Sequence, residues 1–235
     1  MKQRVWELDA LRGICVIGMV FVHFVYDLVE LYRFVQWEYP AAFLLLMKGG
    51  VLFLLISGIC ATLGSRSVRR GLIVFGCGML VTAVTAGMYL LNFAGKSIII
   101  NFGVLHCLGI CMILWPLFRK MPWLPLALIG IAVIGLGQWF DTLRVDARFL
   151  FPLGLRYEGF TSSDYFPLFP CFGWFLLGAA IGKTLYRNKQ TLLPRVDAQK
   201  GVLRFLCFCG RNSLQIYLIH QPVLAGLFTL TAMLR

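Results

Sequence analysis

Charged residues are scarce in this chain, and acidic ones scarcest. Only 14% of its 235 residues are Asp, Glu, Lys or Arg, and ten of them are acidic. A water-soluble fold needs a polar surface over an interior that is roughly half of its composition. With 60% hydrophobic residues and a mean hydropathy of +0.82, this chain cannot build one. The composition therefore implies a polytopic, all-α membrane helix bundle, folded as a single domain over residues 1–235. No internal repeat and no low-complexity segment is visible.

The shortage of acids leaves a formal net charge of +12. The 22 Lys and Arg form no continuous stripe but are scattered between apolar runs, so nucleic acid is excluded as a partner. Basic loops facing anionic membrane lipids explain the excess. The eight cysteines also lack a pattern. Spacings such as Cys107/Cys111 and Cys207/Cys209 match neither a zinc ribbon nor a thioredoxin-like motif. They read as small packing residues inside apolar segments, and no metal centre is expected. The start of the chain, Lys2 and Arg4 before an apolar run, imitates a signal peptide without a small-x-small cleavage site. It reads as a retained signal anchor.

What is abundant is apolar sequence in lengths that cross a bilayer. A spanning helix needs about 20 apolar residues. Seven segments qualify, at about 12–34, 42–64, 71–92, 98–118, 122–140, 164–186 and 203–232. The last is long enough to tilt or to start along the inner interface. With the N-terminus inside, 14 Lys and Arg fall in inner segments and 5 in outer ones. The expected topology has a cytoplasmic N-terminus and an external C-terminus. Trp6, Trp37, Trp115, Trp123 and Trp139 lie near span ends, as an aromatic belt does. Gly178 with Gly182, and Ser57 with Ala61, have the spacing of close helix contacts. An outer connection at about 141–163 mixes charges with Phe149, Phe151 and Phe160, and it is expected to fold over the outer face. The inner connection at about 187–202 is basic and reads as a loop or interfacial helix.

Against this background the intramembrane polar groups stand out. His23, His106 and His220 all fall inside spans, on three separate helices and at middle-to-outer depth. Such groups are costly in lipid and face a bundle interior or a water-filled cavity. His23 lies about 16 Å along its helix from Arg12. Asp27 is its i+4 neighbour, placed to orient the imidazole and raise its basicity. Ser213, Tyr217, His220 and Gln221 share one stripe of the last span. Arg12, with Asp9 beside it, and Arg66, Arg69 and Arg70 form a basic inner rim. Such a rim suits a polyanionic donor with a long thin arm, such as coenzyme A. Asp164 and Tyr165 stand at the entrance of the sixth span, where Pro167 and Pro170 break its first turns, an arrangement able to hold a sugar ring.

The segments "LDALRGICVIGMVFVHFVYD", "LFLLISGICATLG", "NFGVLHCLGICMIL", "DYFPLFPCFGWFLLGAAIG" and "GRNSLQIYLIHQPVL" occur in this order along essentially the whole chain. Together they resemble bacterial members of the heparan-α-glucosaminide N-acetyltransferase catalytic-domain family, within a wider transmembrane acyltransferase superfamily. The resemblance implies a plasma-membrane acyltransferase. It would take acetyl-CoA from the cytosol and acetylate an amine or hydroxyl of an extracytoplasmic glycan or glycolipid. Arg12 would contact the donor, His23 would line the reaction centre, and His106, Asp164 and His220 would surround the same cavity. The lysosomal enzyme has an asparagine where His23 stands, so the catalytic part of His23 follows the O-acyltransferase branch. Two other functions fit intramembrane histidines: a proton-coupled transporter, and a b-type haem protein with two histidines as axial ligands. A homodimer is compatible with the sequence.

Overall fold

The computed structural model describes residues 5–92 and 95–234. Lys2 and Arg4, on which the signal-anchor reading rests, lie outside the described residues. Among the described residues the chain is helical and has no strand, only isolated bridges between Phe102 and Tyr165 and between Arg144 and Arg156. The α-helices are α1 (Trp6–Tyr26), α2 (Ala41–Met47), α3 (Gly50–Leu63), α4 (Ser67–Leu90), α5 (Val104–Phe118), α6 (Trp123–Thr142), α7 (Leu168–Leu185), α8 (Gly201–Arg211) and α9 (Ser213–Met233). A π-helical turn, Asp27–Leu31, extends α1.

Among the described residues five helices are long and apolar enough to cross a membrane, or six if α2 and α3 count as one broken span. At 15 residues α5 is apolar but short, reaching about 22 Å of a core about 30 Å thick. The sequence reading of seven spans thus meets five or six. Its last segment is two helices, separated at Asn212. The difference is in amphipathicity. In α8, Cys207, Cys209 and Gly210 are buried while Val202, Phe205, Phe208 and the cations Arg204 and Arg211 are exposed. Such a helix suits an interface better than a lipid interior. Many of the largest apolar side chains point outward, among them Leu72, Ile73, Leu80 and Val84 on α4 and Leu128 and Ile131 on α6. Apolar area on that scale is incompatible with a surface in water and suited to lipid.

The chain divides into two compact units, residues 1–53 with 190–235, and residues 54–189. In the first unit α1 packs against α8 and α9. Gly13 faces the backbone of Leu206, and Gly210 faces the carbonyl of Asp9, so closely that no Cβ fits at either position. Phe24 and Tyr32 pack on Phe228 of α9, with ring centroids at 5.3 and 5.2 Å. The Tyr32 hydroxyl bonds Thr229 Oγ1 at 2.9 Å and reaches the Ala225 carbonyl at 3.1 Å. Glu7 accepts hydrogen bonds from Thr191 Oγ1 and the Leu192 N–H, both at 2.7 Å, which ties the basic connection to the first turn of α1.

In the second unit α4 pairs with α5 and α6 with α7, and α5 also touches α7. The small residues expected at helix contacts are there. Gly178 meets the backbone of Leu55, Gly182 meets Ile59 and Thr62, and Ser57 and Ala61 are buried. Their role is close packing, the dominant source of helix association where lipid is as apolar as the side chains. None of the eight cysteines is in a disulfide, and five are buried, in line with a packing role. Pro167 and Pro170 act as the sequence implies: α7 begins at Leu168, and Phe169 has an extended backbone (φ −100°, ψ 120°) before Pro170.

Candidate functional site

The expected site residues fall into two groups, one in each unit, and they differ in how their polar atoms are used. In the first unit, α1 and α9 bring the imidazoles of His23 and His220 edge to face, with ring centroids 4.8 Å apart. His23 Nδ1 lies 2.9 Å from the Met19 carbonyl, and His220 Nδ1 lies 2.6 Å from the Tyr217 carbonyl. A carbonyl only accepts, so these bonds assign the proton of each neutral ring to Nδ1 and leave each Nε2 with a lone pair. In His220 that Nε2 is buried and has no partner. The Tyr217 ring packs beside His220 at 5.5 Å.

Asp27 is 1% exposed, and both its oxygens accept from Gln221 Nε2, at 3.2 and 3.0 Å. The sequence reading had Asp27 orienting His23. Instead His23 is oriented by a carbonyl of its own helix, and the carboxylate is held by α9. The helical register between the two is intact, with the Asp27 N–H on the His23 carbonyl, but each side chain takes a different partner. Gln221 Oε1, like His220 Nε2, is a buried acceptor with no donor. Ser213 stands at the first position of α9. Arg12 lies within α1 rather than at its start, and its Nε is buried without a partner. Asp9 is buried in the first turn of the same helix.

In the second unit the polar atoms serve the fold. His106 is 2% exposed and lies at the third position of α5, stacked on Phe102 with Phe75 at its edge. Its Nδ1 accepts from the Gly103 N–H at 3.2 Å. Its Nε2 lies 3.2 Å from Thr82 Oγ1, whose own hydrogen goes to the Ile100 carbonyl at 2.6 Å. Every donor in this series of hydrogen bonds finds an acceptor, which fixes His106 as a neutral ring with its proton on Nε2. Both nitrogens are hydrogen-bonded within the fold, Nδ1 at the start of α5 and Nε2 to α4.

Asp164 acts in the same way. Its Oδ2 accepts from the Val104 N–H at 3.0 Å, placing a carboxylate at the amino end of α5. Tyr165 donates to the Phe151 carbonyl at 2.6 Å and packs on Phe160 at 4.8 Å. Burial pushes its phenol up to about 12, with the Arg156 guanidinium offsetting part of the rise, so it stays a donor. The sequence reading placed a sugar-binding pair at Asp164 and Tyr165; in the structure Asp164 Oδ2 bonds the start of α5 and the Tyr165 hydroxyl bonds the 141–163 connection. Arg66, Arg69 and Arg70 are exposed at the start of α4.

Sequence reasoning missed the partners that decide these roles. Thr82 and Thr85, one turn apart in an apolar helix, both bond the segment at Ile100. That pair was a readable signal. The carbonyls of Met19 and Tyr217 had none.

The family model described as heparan-alpha-glucosaminide N-acetyltransferase, catalytic, matches residues 4–222. No curated protein and no solved structure matches the chain.

Proposed function

The chain belongs to the heparan-alpha-glucosaminide N-acetyltransferase catalytic family, a membrane acetyltransferase family, and from that premise we propose its donor, acceptor and reacting groups. The donor is acetyl-CoA from the cytosol. The acceptor is an amine or hydroxyl of a glycan or glycolipid on the far side of a bacterial plasma membrane. The orientation follows the excess of Lys and Arg in alternate connections.

The observation that carries this reading is the pair of imidazoles in the first unit, each with Nδ1 held by a carbonyl and Nε2 left with its lone pair. A buried polar atom without a partner costs about 1–3 kcal/mol. A fold that keeps one on His220 and another on Gln221 suits a site that a ligand completes.

In the mechanism, His23 Nε2 takes the proton of the acceptor as its oxygen or nitrogen attacks the thioester carbon. The carbon–sulfur bond breaks, the new acetyl bond forms, and the imidazolium returns the proton to the departing thiolate. Asp27, held by Gln221, places a negative charge near the imidazolium that forms. His220, Gln221, Tyr217 and Ser213 face the acceptor. Arg12, with its unpartnered Nε, contacts the donor, assisted by Asp9. The same Nε2 lone pair would serve a two-step route through an acetyl-imidazole, and a burst of coenzyme A release separates the two.

Haem ligation fits poorly. An iron between two imidazoles needs a bond of about 2 Å to each nitrogen, plus the distance from nitrogen to ring centre on both sides. The 4.8 Å between the His23 and His220 centroids is too short, and His106 has both nitrogens committed.

The test is transfer from acetyl-labelled coenzyme A by purified protein in nanodiscs, with glucosamine-terminated glycans and a thiol reagent to count released coenzyme A. Label on an amine or hydroxyl in step with thiol release is expected. Neither label transfer nor thiol release with any acceptor would overturn the reading.

A further inference from the structure

The connection between α6 and α7 carries a depression that the catalytic scheme does not use. It has a volume of about 340 Å³ and is lined by Arg144, Arg156, Tyr157, Glu158, Gly159 and Phe160. That is the lower end of the range for small-ligand sites, with room for a sugar ring or two.

Its walls are built rather than loose. Phe160 stacks on Phe151 at 5.4 Å and meets Tyr157 and Tyr165 edge-on, at 5.4 and 4.8 Å. The Tyr165 hydroxyl closes this cluster on the Phe151 carbonyl. The Val145 N–H donates to the Arg156 carbonyl at 3.1 Å, bridging the two ends of the connection. Arg156 is paired with Asp141, and Arg144 donates to the carbonyls of Asp141 and Leu143. Arg148 lies over the Tyr157 ring at 5.7 Å, holding the ring from one side. The connection therefore fixes two aromatic rings beside guanidinium and carboxylate groups.

That combination matches one ligand chemistry. A pyranose has a C–H face that packs on aromatic rings, and vicinal hydroxyls that both donate and accept. Arg144 and Arg156 can only donate, and Glu158 can only accept. Between Asp141 and Phe160 the charges are Asp141, Arg144, Asp146, Arg148, Arg156 and Glu158, which cancel. The depression thus favours neither a polyanion nor a cation. Phe149, on the same connection, is 78% exposed and takes no part in the aromatic cluster.

We propose that this depression is a binding site for an uncharged sugar ring. The proposal rests on the glycan-acceptor reading above and adds a place on the second unit where a sugar ring is held. Gly159, with φ +76° and open space around it, gives the turn between Tyr157 and Phe160 a backbone that a larger residue would strain.

The experiment reads binding without turnover. Saturation-transfer NMR and titration of tyrosine and tryptophan fluorescence are run with maltotriose and chitotriose on the full chain in nanodiscs. Wild type is compared with Tyr157→Ala and with Glu158→Ala. Glu158 is exposed, so its replacement leaves the aromatic cluster intact and guards against a folding artefact. Saturation of ring protons in the wild type is expected, with affinity at least tenfold weaker in both variants at unchanged melting temperature. Equal saturation in all three proteins, or none in the wild type, would overturn the site. Because no acetyl group moves, failure here is separable from failure of the transfer assay.

Discussion

The histidines of the two units occupy similar apolar helices and have opposite circumstances. His106 has a partner on each ring nitrogen, and Thr82, Gly103 and Ile100 form a closed hydrogen-bond chain around it. His23 and His220 each use one nitrogen on their own helix and turn the other to no backbone group, and the His220 nitrogen is buried without any partner. Residue type and depth do not distinguish a structural histidine from a reactive one in a membrane. What distinguishes them is whether the second nitrogen has been given something to do.

The comparison predicts graded losses. The largest is expected for His106→Ala, which empties a buried ring site and leaves the Gly103 N–H unpaired. It should cost about 3–5 kcal/mol and show as a large fall in melting temperature in detergent or nanodiscs. A melting temperature equal to the wild type would place His106 among exposed, dispensable groups. Gln221→Leu comes next. It removes both bonds to the buried Asp27 carboxylate and should cost about 2 kcal/mol. Restoration by Gln221→Asn would contradict the geometry, since the shorter amide cannot span the same distance.

Asp164→Ala should cost about 1 kcal/mol, the usual worth of an acceptor at a helix start, with hydrogen exchange rising first at Val104 and its neighbours. The smallest effect is expected for Tyr165→Phe, about 0.5–1 kcal/mol for one hydrogen bond. Its pH dependence has a definite sign. The folded phenol titrates near 12 and the unfolded one near 10. The advantage of wild type over Tyr165→Phe is therefore constant below about pH 9. It shrinks as pH rises from 10 towards 12, because the unfolded chain ionises first.

Hydropathy alone revealed that the chain is a helical membrane bundle, and most helix positions followed from it, because each apolar run is local. The split at Asn212 had a local signal too: Gly210 and Asn212 are poor helix formers, and Arg204 and Arg211, seven residues apart, mark one charged face before it. The start of α5 was less accessible. A run beginning at Ile98 looks continuous, yet the helix begins at Val104 because Asp164, 60 residues away, supplies its first acceptor. Likewise Asp27 was assigned to His23 by spacing, whereas Gln221, 194 residues on, holds it. The residues of the site were legible as polar groups in apolar helices. Their roles were not, since those depend on partners brought by folding.

One measurement bears on the central claim most directly: acetyl transfer from labelled acetyl-CoA by His23→Ala and His106→Ala proteins, each normalised to its folded fraction. His23→Ala should lose roughly 10²–10⁴-fold in transfer with little change in melting temperature. His106→Ala should transfer at close to the wild-type rate per folded molecule while melting far lower. Near-normal transfer by folded His23→Ala, or its loss in folded His106→Ala, would contradict the account.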